Sequence, residues 1–240
     1  VVVLRSGASR AQTIAELRSG IAALSGLPGA DAFVGGWGGS PEGEALPVPK
    51  ALRQVLGGVV RRGAVSAIDR PGAVLSALVA ETTRVGYVAV VGVSELGLLS
   101  VVEQGGDLSR IMCVPDPGVQ PFEVLGLLAE GVDLLVVSLP KAPAPSQARP
   151  LQARLRKFST ALISIGGSWP GENTKISSSV EGVVGLCAGG GRIRSVSYSV
   201  VVSGTRFPRR HMSWRVGDRG PLESARNVVS FPWPVQEVGA

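Results

Sequence analysis

The segment from Ala64 to Glu81 has the order of parts used by a phosphate-binding strand, loop and helix, but lacks the groups that hold a phosphate. It runs Ala64-Val-Ser-Ala-Ile-Asp-Arg-Pro-Gly-Ala-Val-Leu75 and continues into the apolar helical run Ser76-Ala-Leu-Val-Ala-Glu81. A phosphate loop has the pattern G-x-x-x-x-G-K-[ST]. Its glycine-rich backbone offers N–H donors, its lysine reaches the outer phosphates and its hydroxyl binds Mg²⁺. The turn here is Asp69-Arg70-Pro71-Gly72, with one glycine, no lysine and no Ser or Thr at the helix start. These residues predict an α/β core that has no nucleotide chemistry and works as a binding module, with no catalytic residue, cofactor or metal.

Other residues with reactive chemistry are isolated. Ser94-Glu95 and Ser138 have no His or Lys at a spacing that would activate a nucleophile. His211 is the one histidine and has no partner motif. Cys113 and Cys187 sit in apolar contexts. Two such cysteines predict buried thiols rather than a disulfide framework or a zinc site, which suits a reducing cytoplasm. The apolar stretches near 87–99 and 132–139 are interrupted or too short to span a bilayer, so a cytoplasmic protein without membrane contact is expected.

Charge is unevenly distributed. Residues 1–140 carry 10 Lys/Arg against 13 Asp/Glu, whereas residues 141–219 carry 13 Lys/Arg against only Glu172, Glu181 and Asp218. A basic back half points to a polyanion or an acidic protein partner. Arg149, Arg154, Arg156 and Lys157 lie on a basic helical stretch, with Arg154 and Lys157 on one face and Arg156 on another. Arg206, Arg209, Arg210 and Arg215 surround a turn favoured by Pro208. Arg149, Arg154, Arg156, Lys157, Arg206, Arg209 and Arg210 are the candidate nucleic-acid contacts. Arginine outnumbers lysine 20 to 4, which suits bidentate pairing with phosphate or carboxylate.

The elements that must position these residues follow from periodicity. Residues 9–25 predict an amphipathic helix with Ile14, Leu17, Ile21 and Leu24 on one face and Ser9 as a cap. Residues 26–49 form a Gly/Pro-rich linker. From Lys50 strands and helices alternate: helix 50–59, strand 64–68, helix 73–85, strand 87–93, helix 96–104, strand 111–114, helix 121–130 and strand 134–139. Short strands without polar alternation suit a parallel sheet covered on both faces. A Pro-rich loop at 141–150, a helix at 151–158 and a strand at 161–165 follow. Residues 178–186 fit a strand or a helix, and 192–203 with 211–216 predict an antiparallel hairpin. The domain plan is therefore an N-terminal helix (1–25), a linker (26–49), a core (50–219) and a tail (220–240).

This order resembles the RecA-like family. Gly57-Gly58 with Arg61-Arg-Gly-Ala-Val-Ser66 resembles the approach to its first core strand. Gly86-Tyr-Val-Ala-Val-Val-Gly-Val-Ser-Glu95 resembles the second strand and its acidic end. Gly131-Val-Asp-Leu-Leu-Val-Val-Ser138 resembles the Walker B strand, and the run at 198–216 the closing hairpin. The resemblance implies a RecA-like core with a mostly parallel central sheet flanked by helices and closed by an antiparallel hairpin. Glu95 matches the family's catalytic glutamate, while the Walker B acid is replaced by Ser138.

A RecA-like chain of this size without nucleotide motifs is most similar to the ImuA and ImuA-prime accessory proteins of bacterial mutasomes. That likeness implies a non-catalytic role in damage-induced, error-prone translesion synthesis. The implied partners are an ImuB-like protein and, through it, a C-family polymerase. The alternatives are a DNA-binding RecA-like module and a cell-division inhibitor resembling SulA. RecA relatives add a neighbour's N-terminal strand to a sheet edge. The corresponding edge here, 111–114 with helix 121–130, gives Met112, Val114, Phe122, Leu125 and Leu128 as candidate residues for binding the partner or the chain's own N-terminal arm. Phe231 and Trp233 in the tail are further candidates, as large aromatics that either fold back or anchor a partner.

Overall fold

The computed structural model describes residues 2–3, 45–187, 190–205 and 207–217. The expected helix at 9–25, most of the linker, and the tail with Phe231 and Trp233 lie outside the described residues, as does Arg206.

In chain order, β1 (Val2–Val3) is followed by a 3-10 turn at Lys50–Leu52 that leads into α1 (Arg53–Leu56). The alternating part comprises β2 (Val65–Ile68), α2 (Ala73–Thr83), β3 (Val88–Val91), α3 (Leu98–Glu103), β4 (Ile111–Val114), α4 (Pro121–Leu128), β5 (Leu134–Val137), α5 (Pro145–Phe158) and β6 (Ala161–Ile165). Three long strands close the fold: β7 (Thr174–Cys187), β8 (Gly190–Gly204) and β9 (Phe207–Gly217). They build one nine-stranded sheet in the order β1-β4-β3-β5-β6-β2-β7-β8-β9. Every pairing from β1 to β7 is parallel, and β7–β8 and β8–β9 are antiparallel. The α/β class, the mostly parallel sheet and the antiparallel closure are those expected of a RecA-like core.

The parallel strands are short and apolar because both of their faces are covered. Successive side chains point to opposite faces, so Val88 and Val90 join one core and Ala89 and Val91 the other. On the first face Leu52 from the 3-10 turn, Val55 and Leu56 from α1, and Val74, Leu75 and Leu78 from α2, pack over Ile68, Leu134, Val136 and Ile163. On the second, Val124, Leu125 and Leu128 from α4 and Leu151 and Leu155 from α5 pack over Met112, Leu135, Val137 and Leu162. Each such side chain contributes about 1.5–3 kcal/mol when fully removed from water. Helix α2 is buried nearly all round, so it shows no polar stripe. Of its three buried hydroxyls, two are satisfied within the helix, with Thr82 Oγ1 donating to the Leu78 carbonyl and Thr83 Oγ1 to that of Ala80, both at 2.8 Å.

One sequence expectation is corrected, one open alternative is settled, and the closing hairpin and the core are each extended. The stretch 141–150 is not all loop: α5 starts at Pro145, in the first helical turn, where a missing N–H costs little, and continues through Pro150. The ambiguous stretch 178–186 lies within β7, held by pairing with β8. The closing element is a three-stranded meander, since β7 leaves its parallel pairing with β2 at Ile176 and runs on antiparallel to β8. The end of the linker belongs to the core, because Leu46 is buried and its N–H donates to the Val60 carbonyl at 2.8 Å.

At the starts of the strands, one carboxylate joins three segments. Asp133 Oδ2 accepts the Tyr87 N–H at 2.9 Å, and Oδ1 accepts from Arg62 Nη1 at 2.7 Å. Arg62 Nη1 also donates to the Ser159 carbonyl at 3.3 Å. A Cβ at position 86 would overlap the Asp133 carboxyl group, which is why glycine precedes Tyr87. Replacing Asp133 with Ala removes the acceptor shared by the largely buried Arg62 guanidinium and the Tyr87 N–H. We expect about 2–3 kcal/mol of lost stability, read by urea denaturation, with Gly86→Ala showing a similar loss.

Candidate functional site

In an open α/β sheet the crevice beyond the carboxyl ends of the strands is where ligands bind. Here that crevice is bordered by the turn after β2, by Gly92–Glu95 after β3, by Ser138 after β5 and by Gly166–Gly167 after β6. The turn between β2 and α2 has four residues, Asp69 to Gly72, against the eight positions of a phosphate loop. Its carboxylate is engaged in holding the sheet together. The Ser178 N–H of β7 lies 3.3 and 3.2 Å from Asp69 Oδ1 and Oδ2, and the Asp69 N–H donates to the Ile176 carbonyl at 3.1 Å. Arg70 Nε stands 3.6 Å from Asp69 Oδ2. Gly72, in extended conformation, provides no side-chain cap to α2.

The neighbouring positions are also structural. Gly92 takes φ +68°, its N–H donates to the Val114 carbonyl at 2.9 Å, and the Ser138 carbonyl leaves no room for a Cβ. The Ser138 N–H donates to the Val91 carbonyl at 2.9 Å. Glu95, matched to a catalytic glutamate by resemblance, is an exposed carboxylate in the segment between β3 and α3. Among the described residues no group of His, Cys, Asp and Glu is placed to hold a metal ion.

A large opening in the surface lies elsewhere. A groove of about 1100 Å³ runs between α4, α5 and the segment Leu139–Ala144, with Pro121, Phe122, Leu127 and Leu151 along it and Lys141 and Arg154 among its lining residues. Phe122 packs against Trp169, with ring centroids 6.3 Å apart. Of the residues expected to line a partner groove, only Phe122 borders this opening. Met112, Val114, Leu125 and Leu128 are corrected to core positions. Each is at most 1% exposed, because α4 lies flat on the sheet and turns these side chains inward. The edge of β4 is nevertheless where the chain's own N-terminal arm pairs, Val2 opposite Met112 and Val3 opposite Cys113.

The cations of α5 do not form one surface. Arg154 Nη1 reaches across to Glu130 Oε1 at 3.8 Å and lies over Gly126. Arg156 stands beside Gly63, Lys157 Nζ lies 5.0 Å from the Phe158 ring centroid, and Arg149 is exposed. In β9, Arg209 points outward, but Arg210 turns to the core side, over the Phe207 ring at 4.9 Å and donating to the Gly57 carbonyl at 3.3 Å. This split was not legible before the strand register was known, since a one-residue step in a strand reverses the face. Nor were the Asp69 and Asp133 clamps, because their partners lie on segments distant in the chain.

The geometry can be set beside known proteins. A family model described as the MT3502 N-terminal domain matches residues 54–171, from α1 through β6 and the turn after it. The uncharacterized protein Rv3395c of Mycobacterium tuberculosis is 37% identical over 122 residues, which cover 50% of this chain and 60% of that protein. The region matched by the family model holds strands β2 to β6 and the helices between them. Among the described residues no helix is long and apolar enough to cross a membrane.

Two outcomes test this local account. Asp69→Ala removes the acceptor for the Ser178 amide, with an expected loss of about 1.5–3 kcal/mol in chemical denaturation, whereas Glu95→Ala leaves stability within about 0.5 kcal/mol. Burial raises the Cys113 thiol above its ordinary range. In a Cys187→Ser background, alkylation of the folded protein should therefore rise only at more alkaline pH than for the urea-unfolded chain. An identical pH profile for both forms would show that burial does not protect the thiol.

Proposed function

We propose that this chain is a non-catalytic RecA-like accessory protein of a DNA-damage-induced mutasome, which binds an ImuB-like partner and through it serves an error-prone C-family polymerase. The observation that carries the reading is the turn Asp69–Gly72. A carboxylate that clamps β7 stands where a RecA-like ATPase needs amide donors and a lysine, and Ser138 stands where it needs an acid for Mg²⁺. With those groups replaced, the means left to this fold is surface recognition. The groove between α4 and α5 supplies an aromatic at a concave apolar surface with cations beside it, the composition that anchors protein partners. The resemblance to ImuA-type proteins supplies the partner class.

The test is capture of a purified ImuB-like protein by the full chain, with the polymerase added as a third component. Retention is expected, and Phe122→Asp combined with Arg154→Glu should weaken it at least tenfold while the fold persists by circular dichroism. No capture by the unaltered chain would overturn the reading. Capture that is indifferent to the double variant would move the interface away from the groove.

A further inference from the structure

The three long strands carry an exposed face that the groove-centred reading does not use. Between positions 196 and 202 of β8 the even-numbered residues, including Tyr198, Val200 and Val202, point to the core, as do Met212, Trp214 and Val216 of β9. The odd-numbered positions of these stretches form the opposite face. In register across the sheet stand Lys175 and Ser203, then Ser177, Val201 and His211, then Ser179, Ser199 and Ser213, with Ser197 opposite Arg215. Arg209 belongs to the same outward series, and Lys175, Arg209, His211 and Arg215 are exposed. The hydroxyls are tied to this face: Ser199 Oγ lies 2.9 Å from His211 Nε2, and Arg215 Nε donates to Ser197 Oγ at 3.4 Å.

On this face cations outnumber carboxylates. In the matched α/β region Arg62, Arg70, Arg84, Arg110 and Arg154 each stand within 4 Å of a carboxylate, whereas no ion pair is formed by Arg149, Arg156 or Lys157 of α5 among the described residues. Among the described residues of β7–β9 there are six cations, of which Lys175, Arg209 and Arg215 belong to the outward face, Arg210 turns to the core side and Arg192 and Arg194 lie outside the registered rows, and there is one carboxylate, Glu181. Glu181 accepts from Ser213 Oγ at 2.7 Å, and none of the six cations has a carboxylate partner among the described residues.

We propose that this outward face of β7–β9 binds the phosphate backbone of duplex DNA. Cations without carboxylate partners, set among hydroxyl groups, are the ligands that phosphate contacts use. A protein partner would need an apolar centre, and in the rows from Lys175 to Arg215 Val201 is the one apolar side chain, the exposed Ile193 lying beyond their end. A single strand would need aromatic platforms for its bases, whereas Tyr198, Phe207 and Trp214 all lie on the core side. A duplex presents its phosphates outward and needs neither. The face lies beyond residue 171, outside the segment that the family model matches, and the proposal is independent of any ImuB-like partner.

The test is fluorescence anisotropy of the full chain against a labelled duplex and the single strand of equal length, over a salt series. The chain is expected to prefer the duplex, with affinity falling steeply as salt rises. Lys175→Glu, Arg209→Glu and Arg215→Glu together should cut affinity at least tenfold and lower the salt slope by about three, at roughly 0.9 per phosphate contact. Arg149→Glu, Arg156→Glu and Lys157→Glu together, on α5, should change neither. Glu181→Gln keeps an acceptor for Ser213 and should tighten binding, which guards against mistaking unfolding of the triple variant for loss of a contact. Salt-independent or absent binding, tighter binding of the single strand, a β7–β9 triple variant equal to the parent, or an equal loss from the α5 variant would each overturn the proposal.

Discussion

Burial of both faces of the parallel strands constrains everything else in this protein. Residues of β2, β3, β5 and β6 are buried to the last side chain, so these strands offer no surface for recognition. What meets solvent is their ends, the outer sides of the helices, and the released face of β7–β9. The strand ends are occupied by backbone clamps: Asp133 with Tyr87 at one end, Asp69 with Ser178 at the other. Two carboxylates thus serve geometry, one fixing strand starts and the other fixing the junction where the sheet turns from parallel to antiparallel.

The division of labour in the proposed function follows from that constraint. A groove forms between α4, α5 and the segment Leu139–Ala144. A basic face forms on the outward side of β7–β9. The first is concave and apolar with an aromatic, the second mostly polar around Val201. On physical grounds they suit different partners, a protein in the groove and a phosphate polymer on the sheet.

Much of the fold was legible in the sequence, for identifiable reasons. Val88–Val91 and Leu134–Val137 are continuous apolar runs, the signature of strands covered on both sides, and Ile111–Val114 and Ala161–Ile165 were bounded by clear turn residues. The start of α5 was not legible, because Pro145 and Pro150 suggest a loop until the first-turn position of Pro145 is known. Nor was the burial of Met112, Val114, Leu125 and Leu128. Apolar residues at an edge strand and its helix look the same in sequence whether they face a partner or the core. The basic face was seen only as a count of arginines: that Arg209 and Arg215 share a side while Arg210 turns inward depends on the register with β8, which no local pattern encodes.

The central claim is that the turn at Asp69–Gly72 is a structural joint in a protein that acts by recognition alone. It is tested most directly by thermal denaturation of the full chain with millimolar ATP and Mg²⁺. A ligand that binds the folded state at a hundred times its dissociation constant stabilises it by about 2.7 kcal/mol, a shift well within detection. The account predicts no nucleotide-dependent rise in the melting temperature. A saturable rise that Glu95→Gln abolishes would contradict it.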